Sequence, residues 1–232
     1  MKVSAILLAA GSGSRLKSKV SKPLISIAGK PLIAYSLLVL ERQSQVDEIV
    51  VVANARNQAA IECLVKRYRI NKVKAVVLGG ALRQDSVRNG LARIDQRSGL
   101  VLIHDSGRPF ISQSLLGKLI RKAAKTKAAV LAVPVKATIK SATRKLLVSK
   151  TFKRDLLWEI QTPQVFANSL IKRAFKKFGR CPVTDDSSLV EKAEVKVHIV
   201  KGSYGNIKIT TSEDVLIARC IAKGNSRLWN SK

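Results

Sequence analysis

The chain has 232 residues, 46% of them apolar and 4% aromatic, with a formal net charge of +28 at neutral pH. That length suits a single α/β domain over residues 1–222 with a C-terminal tail at 223–232, and the apolar fraction supports a full aliphatic core. No apolar run is long enough to cross a bilayer, and the three cysteines are odd in number, widely spaced and free of CxxC pairs, which excludes a disulfide scaffold or zinc finger and fits a reducing cytoplasm.

Cys63, Cys181 and Cys220 are therefore read as small buried hydrophobes. The high charge raises the question of nucleic acid. Its cations fall in every segment rather than on one tail or stripe, even the dense run Lys172 to Arg180 reading as one polar helix face. No zinc finger, recognition-helix pair or RNA-binding aromatic motif accompanies them, so no specific nucleic-acid partner is expected.

The first element is a buried strand over 3–8, too short in its apolar part for a signal peptide. It runs into Ala9-Ala10-Gly11-Ser12-Gly13-Ser14-Arg15, with Lys22-Pro23 seven residues beyond the arginine. Glycines let a backbone turn tightly and approach a ligand, and amides exposed in such a turn point at anions. Arg15 and Lys22 add two positive charges to the same connection. A Walker loop needs Lys-Ser/Thr directly after its last glycine, and a dinucleotide fingerprint needs a third glycine; neither is present. The loop is built to hold a nucleoside triphosphate and to neutralise charge as its phosphates react.

Further on, helices are expected near 31–43, 56–69, 84–96, 113–126 and 168–178, alternating with strands near 48–53, 73–78, 99–104, 128–135 and 195–200. The alternation predicts an α/β fold, a mostly parallel Rossmann-like sheet with helices on both faces. Ligands of such sheets sit at the carboxyl ends of the strands, and the unusual polar residues fall there. Gly79-Gly80 follows the third strand, with Arg83, Asp85 and Ser86 opening the next helix. His104-Asp105-Ser106-Gly107-Arg108-Pro109 follows the fourth strand. Asp105 is suited to orienting a hydroxyl or to holding Mg²⁺, and Arg108 to pinning a phosphate; the plainer reading is a buried Asp105–Arg108 ion pair. His104 is expected to pack or bond backbone, and His198 to be a strand-surface residue.

Residues 138–165 break the rhythm, with short segments between basic turns. They are expected to form a projecting β-arm used for dimerisation, because an arm without its own core needs a partner. Lys208 lies in the alternating Asn206-Ile207-Lys208-Ile209-Thr210, where a lysine faces either a polar cleft or solvent. The last helix is expected to start at Thr211, with Asp214 completing a capping box, and to run to about Ala222.

Together these segments, in order over residues 3–222, resemble the 2-C-methyl-D-erythritol 4-phosphate cytidylyltransferases. The first loop, Arg83-Gln84-Asp85-Ser86-Val87, His104 to Phe110, Gln161-Thr162-Pro163-Gln164, Thr184-Asp185-Asp186 and Asn206 to Thr210 carry the resemblance. It implies a cytoplasmic homodimeric enzyme that joins CTP to a polyol phosphate with Mg²⁺ or another divalent cation. Arg15, Lys22, Arg154 and Lys208 would be catalytic. The backbone of Ala9, Ala10, Gly11, Gly79 and Gly80, with Asp85 and Ser86, would take the nucleotide. Asp105, Arg108, Thr138 and Thr162 would hold the polyol phosphate, and Asp105 is the candidate metal ligand. Thr138 and Arg154 would reach across a dimer on the arm.

Two positions depart from the family pattern: Ala137 stands where an Asp is usual before Thr138, and Ser21 where a Pro is usual before Lys22. Ala137 keeps open a related substrate such as ribitol 5-phosphate. A catalytically inactive nucleic-acid-binding protein is the alternative from another class, and it predicts erosion of the cleft residues, which are all present. A cyclase domain, fused in some members, does not fit this length.

Overall fold

The computed structural model describes residues 1–224 except Ser12, Lys17 and Lys19, so Ser12 of the first motif and the predicted tail beyond Gly224 lie outside the described residues. In chain order the elements are β1 (Val3–Leu8), a short β2/β3 pair (Ser26–Ile27, Lys30–Pro31), α1 (Leu32–Arg42), β4 (Glu48–Ala53), α2 (Gln58–Arg67), β5 (Val73–Leu78), α3 (Arg83–Leu91), β6 (Leu100–Asp105), α4 (Gln113–Thr126) and β7 (Ala128–Pro134). They continue with β8 (Lys140–Ala142), β9 (Val148–Thr151), β10 (Trp158–Ala167), α5 (Asn168–Phe178), α6 (Asp186–Lys192), β11 (His198–Lys201) and α7 (Ser212–Gly224).

Seven strands form one sheet in the order β11-β7-β10-β6-β1-β4-β5. All run parallel except β10, which is antiparallel to both its neighbours. The central strands are buried on both faces, which explains their continuous Val/Ile/Leu/Ala runs. Side chains alternate along each strand, so two cores form. Val3, Ala5, Leu7, Ile49, Val51 and Leu102 pack with α1, α2 and α4 on one face. Ile6, Val50, Val52, Val101, Ile103 and Phe166 pack with α3, α5 and α6 on the other. Gly90 lets α3 approach closely: a Cβ there would stand 2.6 Å from Ile6 Cγ2. A third cluster, Ile27, Leu32, Tyr35, Phe110, Ile209, Ala218 and Ala222, seats α7 against the β2/β3 pair.

The α/β reading and the strands at 3–8, 48–53 and 73–78 agree with the structure. The arm is smaller than expected. Only residues up to Leu157 project, as the β8–β9 hairpin and a 3-10 turn (Arg154–Leu156). Residues 158–165, assigned to the arm from sequence, instead form most of β10 inside the sheet. The helix expected to reach residue 96 ends at Leu91. Residues 206–210 are not a strand, and α6 was not anticipated. Cys63 and Cys220 are exposed on helices rather than buried. The capping box at α7 is present: Asp214 Oδ2 accepts from Thr210 and Thr211 N–H, and Thr211 Oγ1 accepts from Asp214 N–H.

Candidate active site

The carboxyl ends of β1, β5 and β6 surround a cleft of about 400 Å³, lined by Ala9, Ala10, Gly11, Arg15, Lys22, Gly80, Ser86, Asp105 and Lys208 among others. Backbone bonds fix the rim. Ala9 N–H donates to Val52 O, Gly79 N–H to Ala53 O and Ser106 N–H to Leu8 O, so each loop leaves its strand tied to a neighbour. Gly79 must be glycine, since a Cβ there would lie 2.6 Å from both Ala10 Cβ and Ser86 Oγ. Ser86 Oγ accepts from Gly80 N–H at 3.3 Å. Asp85 does not line the cleft. Its carboxylate accepts from Leu82 N–H and from Arg88, capping α3.

Among the described residues, four cationic side chains line this cleft: Arg15, Lys22, Arg83 and Lys208. Lys22 lies partly buried, and burial together with the nearby Lys208 charge lowers its ammonium pKa to about 8. Asp105 is the one acidic side chain on the lining among the described residues. Its Oδ1 accepts from Arg83 Nη2 at 3.1 Å and its Oδ2 from Lys208 Nζ at 2.6 Å. Burial opposes its ionisation, but Arg83 and Lys208 outweigh burial and hold the carboxyl well below the usual range. Arg83 also bonds Asp186 Oδ2 at 2.8 Å, at the start of α6. Burial pushes the Asp186 carboxyl up, against the pull of Arg83. The Asp105–Arg108 ion pair, the alternative to a functional role for these two residues, does not form: Asp105 pairs with Arg83 and Lys208. Arg108 donates instead to Asn206 O at 2.8 Å and Ile160 O at 3.3 Å, and its Nε is buried without a hydrogen-bond partner among the described residues.

Arg83, Asp105 and Lys208 form the wall between this cleft and a second cavity of about 350 Å³, lined also by Arg108, Thr162, Gln164 and Asp185. Of the two orientations open to Lys208 in the sequence, the structure shows the cleft-facing one, but from an irregular segment rather than a strand, tied by Ile209 N–H to Gly107 O at 2.8 Å. Arg83, read from sequence only as a motif member, joins Asp105 on the shared wall to the buried Asp186 behind it. Arg154 and Thr138 lie on the exposed arm and line neither cavity; Arg154 donates to Lys136 O at 3.1 Å.

His104 behaves as expected of a structural residue. It is fully buried, Thr162 Oγ1 lies 3.1 Å from Nδ1, and Arg108 O lies 3.0 Å from Nε2. Arg108 O can only accept, so the neutral ring carries its proton on Nε2, and Nδ1 accepts from the Thr162 hydroxyl. Burial lowers its pKa from 6.5 to about 4. The unfolded chain therefore binds a proton here that the folded chain does not, and stability falls as pH is lowered from 6.5 towards 4. The full effect is roughly 3 kcal/mol. Urea midpoints measured between pH 7 and 5 should show the slope, and His104→Gln should flatten it.

The mostly parallel sheet thus carries a glycine-lined, cation-rich cleft at its carboxyl edge, one wall of which is shared with a second polar cavity. A family model described as 2-C-methyl-D-erythritol 4-phosphate cytidylyltransferase matches residues 3–223. The chain is 45% identical over 226 residues to such a cytidylyltransferase from Shouchella clausii, covering 96% of this chain and 97% of that one. It is 42% identical to one from Alkaliphilus metalliredigens, covering 95% and 92%. A solved 4-diphosphocytidyl-2C-methyl-D-erythritol synthase from Anaerococcus prevotii superposes with a TM-score of 0.85 at 36% identity, over 96% of each chain. The chain belongs to the 2-C-methyl-D-erythritol 4-phosphate cytidylyltransferase family.

Proposed function

We propose that the cation-lined cleft binds CTP and the adjoining cavity binds 2-C-methyl-D-erythritol 4-phosphate, and that the protein joins them as 4-diphosphocytidyl-2-C-methyl-D-erythritol with release of pyrophosphate. The observation that carries this reading is the shared wall of Arg83, Asp105 and Lys208, which sets a polyol-sized polar cavity against the triphosphate cleft.

An oxygen of the polyol phosphate attacks the α-phosphorus of CTP, a new P–O bond forms, and the bond to the β-phosphate oxygen breaks. The second pKa of a phosphate monoester is about 6, so the nucleophile is already ionised and no general base is needed. The barrier is the meeting of two polyanions, and catalysis is positioning plus cations. Arg15 and Lys22 neutralise the triphosphate and the charge building on the leaving pyrophosphate. Lys208, held by Asp105, sits at the junction of the two sites. Ser86 and the backbone at Ala9, Ala10, Gly11, Gly79 and Gly80 take the nucleotide. Arg108, Asp105 and Thr162, which line the adjoining cavity, take the polyol phosphate.

Mg²⁺ accompanies CTP in this proposal and supplies charge neutralisation at the triphosphate. Asp105 Oδ1 accepts twice from Arg83, but Oδ2 accepts from Lys208 alone and keeps a further lone pair, so this one carboxylate oxygen with phosphate oxygens would hold the ion. A homodimer is part of the proposal. Leu146 is 87% and Leu156 80% exposed on the arm, apolar surface that a second copy would cover while receiving Thr138 and Arg154. A cytoplasmic location accords with a protein in which no described helix is long and apolar enough to cross a membrane.

The test is pyrophosphate release from Mg²⁺-CTP with either methylerythritol 4-phosphate or ribitol 5-phosphate. Release with the first alone is expected. Release with ribitol phosphate alone would transfer the protein to another polyol and give Ala137 a role, and no release with either would end the catalytic reading.

A further inference from the structure

The turn after β4 is built on two asparagines that hold each other. Asn54 N–H donates to Asn57 Oδ1 at 2.9 Å, and Asn57 N–H to Asn54 Oδ1 at 3.1 Å. Side-chain oxygens used in this way close a turn and leave the two amide NH₂ groups free to point elsewhere. Both reach into the first loop. Asn54 Nδ2 donates to Ala10 O at 3.0 Å. Asn57 Nδ2 donates to Ala9 O and to Ser21 Oγ, each at 3.0 Å. Asn57 is fully buried, and neither asparagine lines the cleft. Two residues outside the site therefore grip the loop at its start and again directly before Lys22.

Ser21 is held at φ −55°, ψ 132°; a proline ring would lock that φ covalently, whereas a serine needs an outside bond to stay there. From there Lys22 enters a short 3-10 turn (Lys22–Leu24) and its side chain threads between two glycines. A Cβ on Gly13 would stand 2.8 Å from Lys22 Cβ, and one on Gly107 would stand 2.9 Å from Lys22 Nζ. The ammonium thus lies over Gly107, between the Asp105 loop and the first loop, and the anchor that sets where its stem begins is Ser21.

We propose that the Asn57–Ser21 hydrogen bond fixes Lys22 in the cleft, making Asn57 and Ser21 positioning residues for cytidylyl transfer. The inference rests on the proposed role of Lys22. Without the bond, residue 21 samples other torsions and the lysine stem swings away from Gly107. The Ala9 carbonyl, held by the same amide, links the position of Lys22 to the end of β1 through one side chain.

The experiment compares wild type, Ser21→Ala and Ser21→Pro by two readouts. The first is kcat and the KM for CTP. The second is the titration of the Lys22 amine itself, followed by competitive labelling with acetic anhydride and mass spectrometry across pH. Ser21→Ala removes the acceptor alone and should lower kcat roughly ten- to a hundredfold, the scale of a small misplacement, with little change in melting temperature. In that variant the Lys22 pKa should move from about 8 towards the ordinary 10.5 as the amine reaches solvent. Ser21→Pro restores the torsion without the bond and should recover most of the turnover and the low pKa. An unchanged Lys22 titration in Ser21→Ala overturns the proposal, as does a Ser21→Pro variant that behaves like Ser21→Ala. Absence of turnover in the wild type would defeat the cytidylyl-transfer reading, while the amine titration would still decide whether the clamp sets Lys22.

Discussion

Lys22→Ala should leave the fold intact and reduce kcat by about 10²–10³-fold, the effect of losing one preorganised group that stabilises developing charge, roughly 3–4 kcal/mol. The lysine is half-buried on a loop, and the apolar core contains none of its atoms, so thermal melting should barely move. Arg15→Ala should lose turnover in the same direction, because Arg15 lines the same cleft from the other end of the loop. A pH profile refines the test. With its pKa near 8, Lys22 in the free enzyme loses its charge as pH rises through that value, so kcat/KM should fall on the alkaline side. Lys22→Arg, which stays charged, should lack that limb even if its absolute rate is lower. Near-wild-type turnover in Lys22→Ala would refute the electrostatic mechanism.

The second large effect concerns stability. Arg83→Ala should destabilise the protein by about 3–5 kcal/mol, because it removes one partner of a buried charge cluster and keeps the others. Asp105 would retain Lys208, but the Asp186 side chain, only 1% exposed, would have no cation left within ion-pairing distance among the described residues. Burial already pushes the Asp186 carboxyl up, so the orphaned group should take a proton and the loss should shrink as pH falls. Denaturant midpoints for Arg83→Ala and for Arg83→Ala combined with Asp186→Asn check this. The double variant should regain part of the loss; equal instability in both would mean that the cost lies in packing and not in the stranded carboxylate.

Much of the architecture was legible because it rests on signals that tertiary context does not reverse. The runs at 3–8, 48–53 and 73–78 are aliphatic stretches bounded by turn chemistry, and their limits match the strands. The failures have physical causes. β10 carries Glu159, Gln161, Thr162, Pro163 and Gln164, a polar run with a proline that argues against a central strand. It is tolerated because Thr162, Gln161 and Gln164 bond inward, to the Asp105 amide, to Asn206 and to the α6 cap, and because the ladder with β7 shifts register there. α6 is seven residues long with two serines, below the length at which helical periodicity shows. In the site, the glycine loop and its cations were visible as a local pattern. The Arg83–Asp105–Asp186 and Asn57–Ser21 links join residues far apart in sequence, and spacing alone holds no trace of them.

The position of β10 also sets the order in which the chain can complete itself during synthesis. β1, β4, β5 and β6 are mutual neighbours and can pair once the first half has emerged. β7 follows immediately, yet its two neighbours are β10 and β11, both made later. At ribosomal speeds the chain from Pro134 to Ala167 takes roughly 2–7 s to appear. For that interval a fully apolar ribbon, Ala128 to Val133, has only α4 to shelter it. A nascent chain stalled inside the arm would present an open sheet edge, the kind of surface that chaperones capture and that templates aggregation.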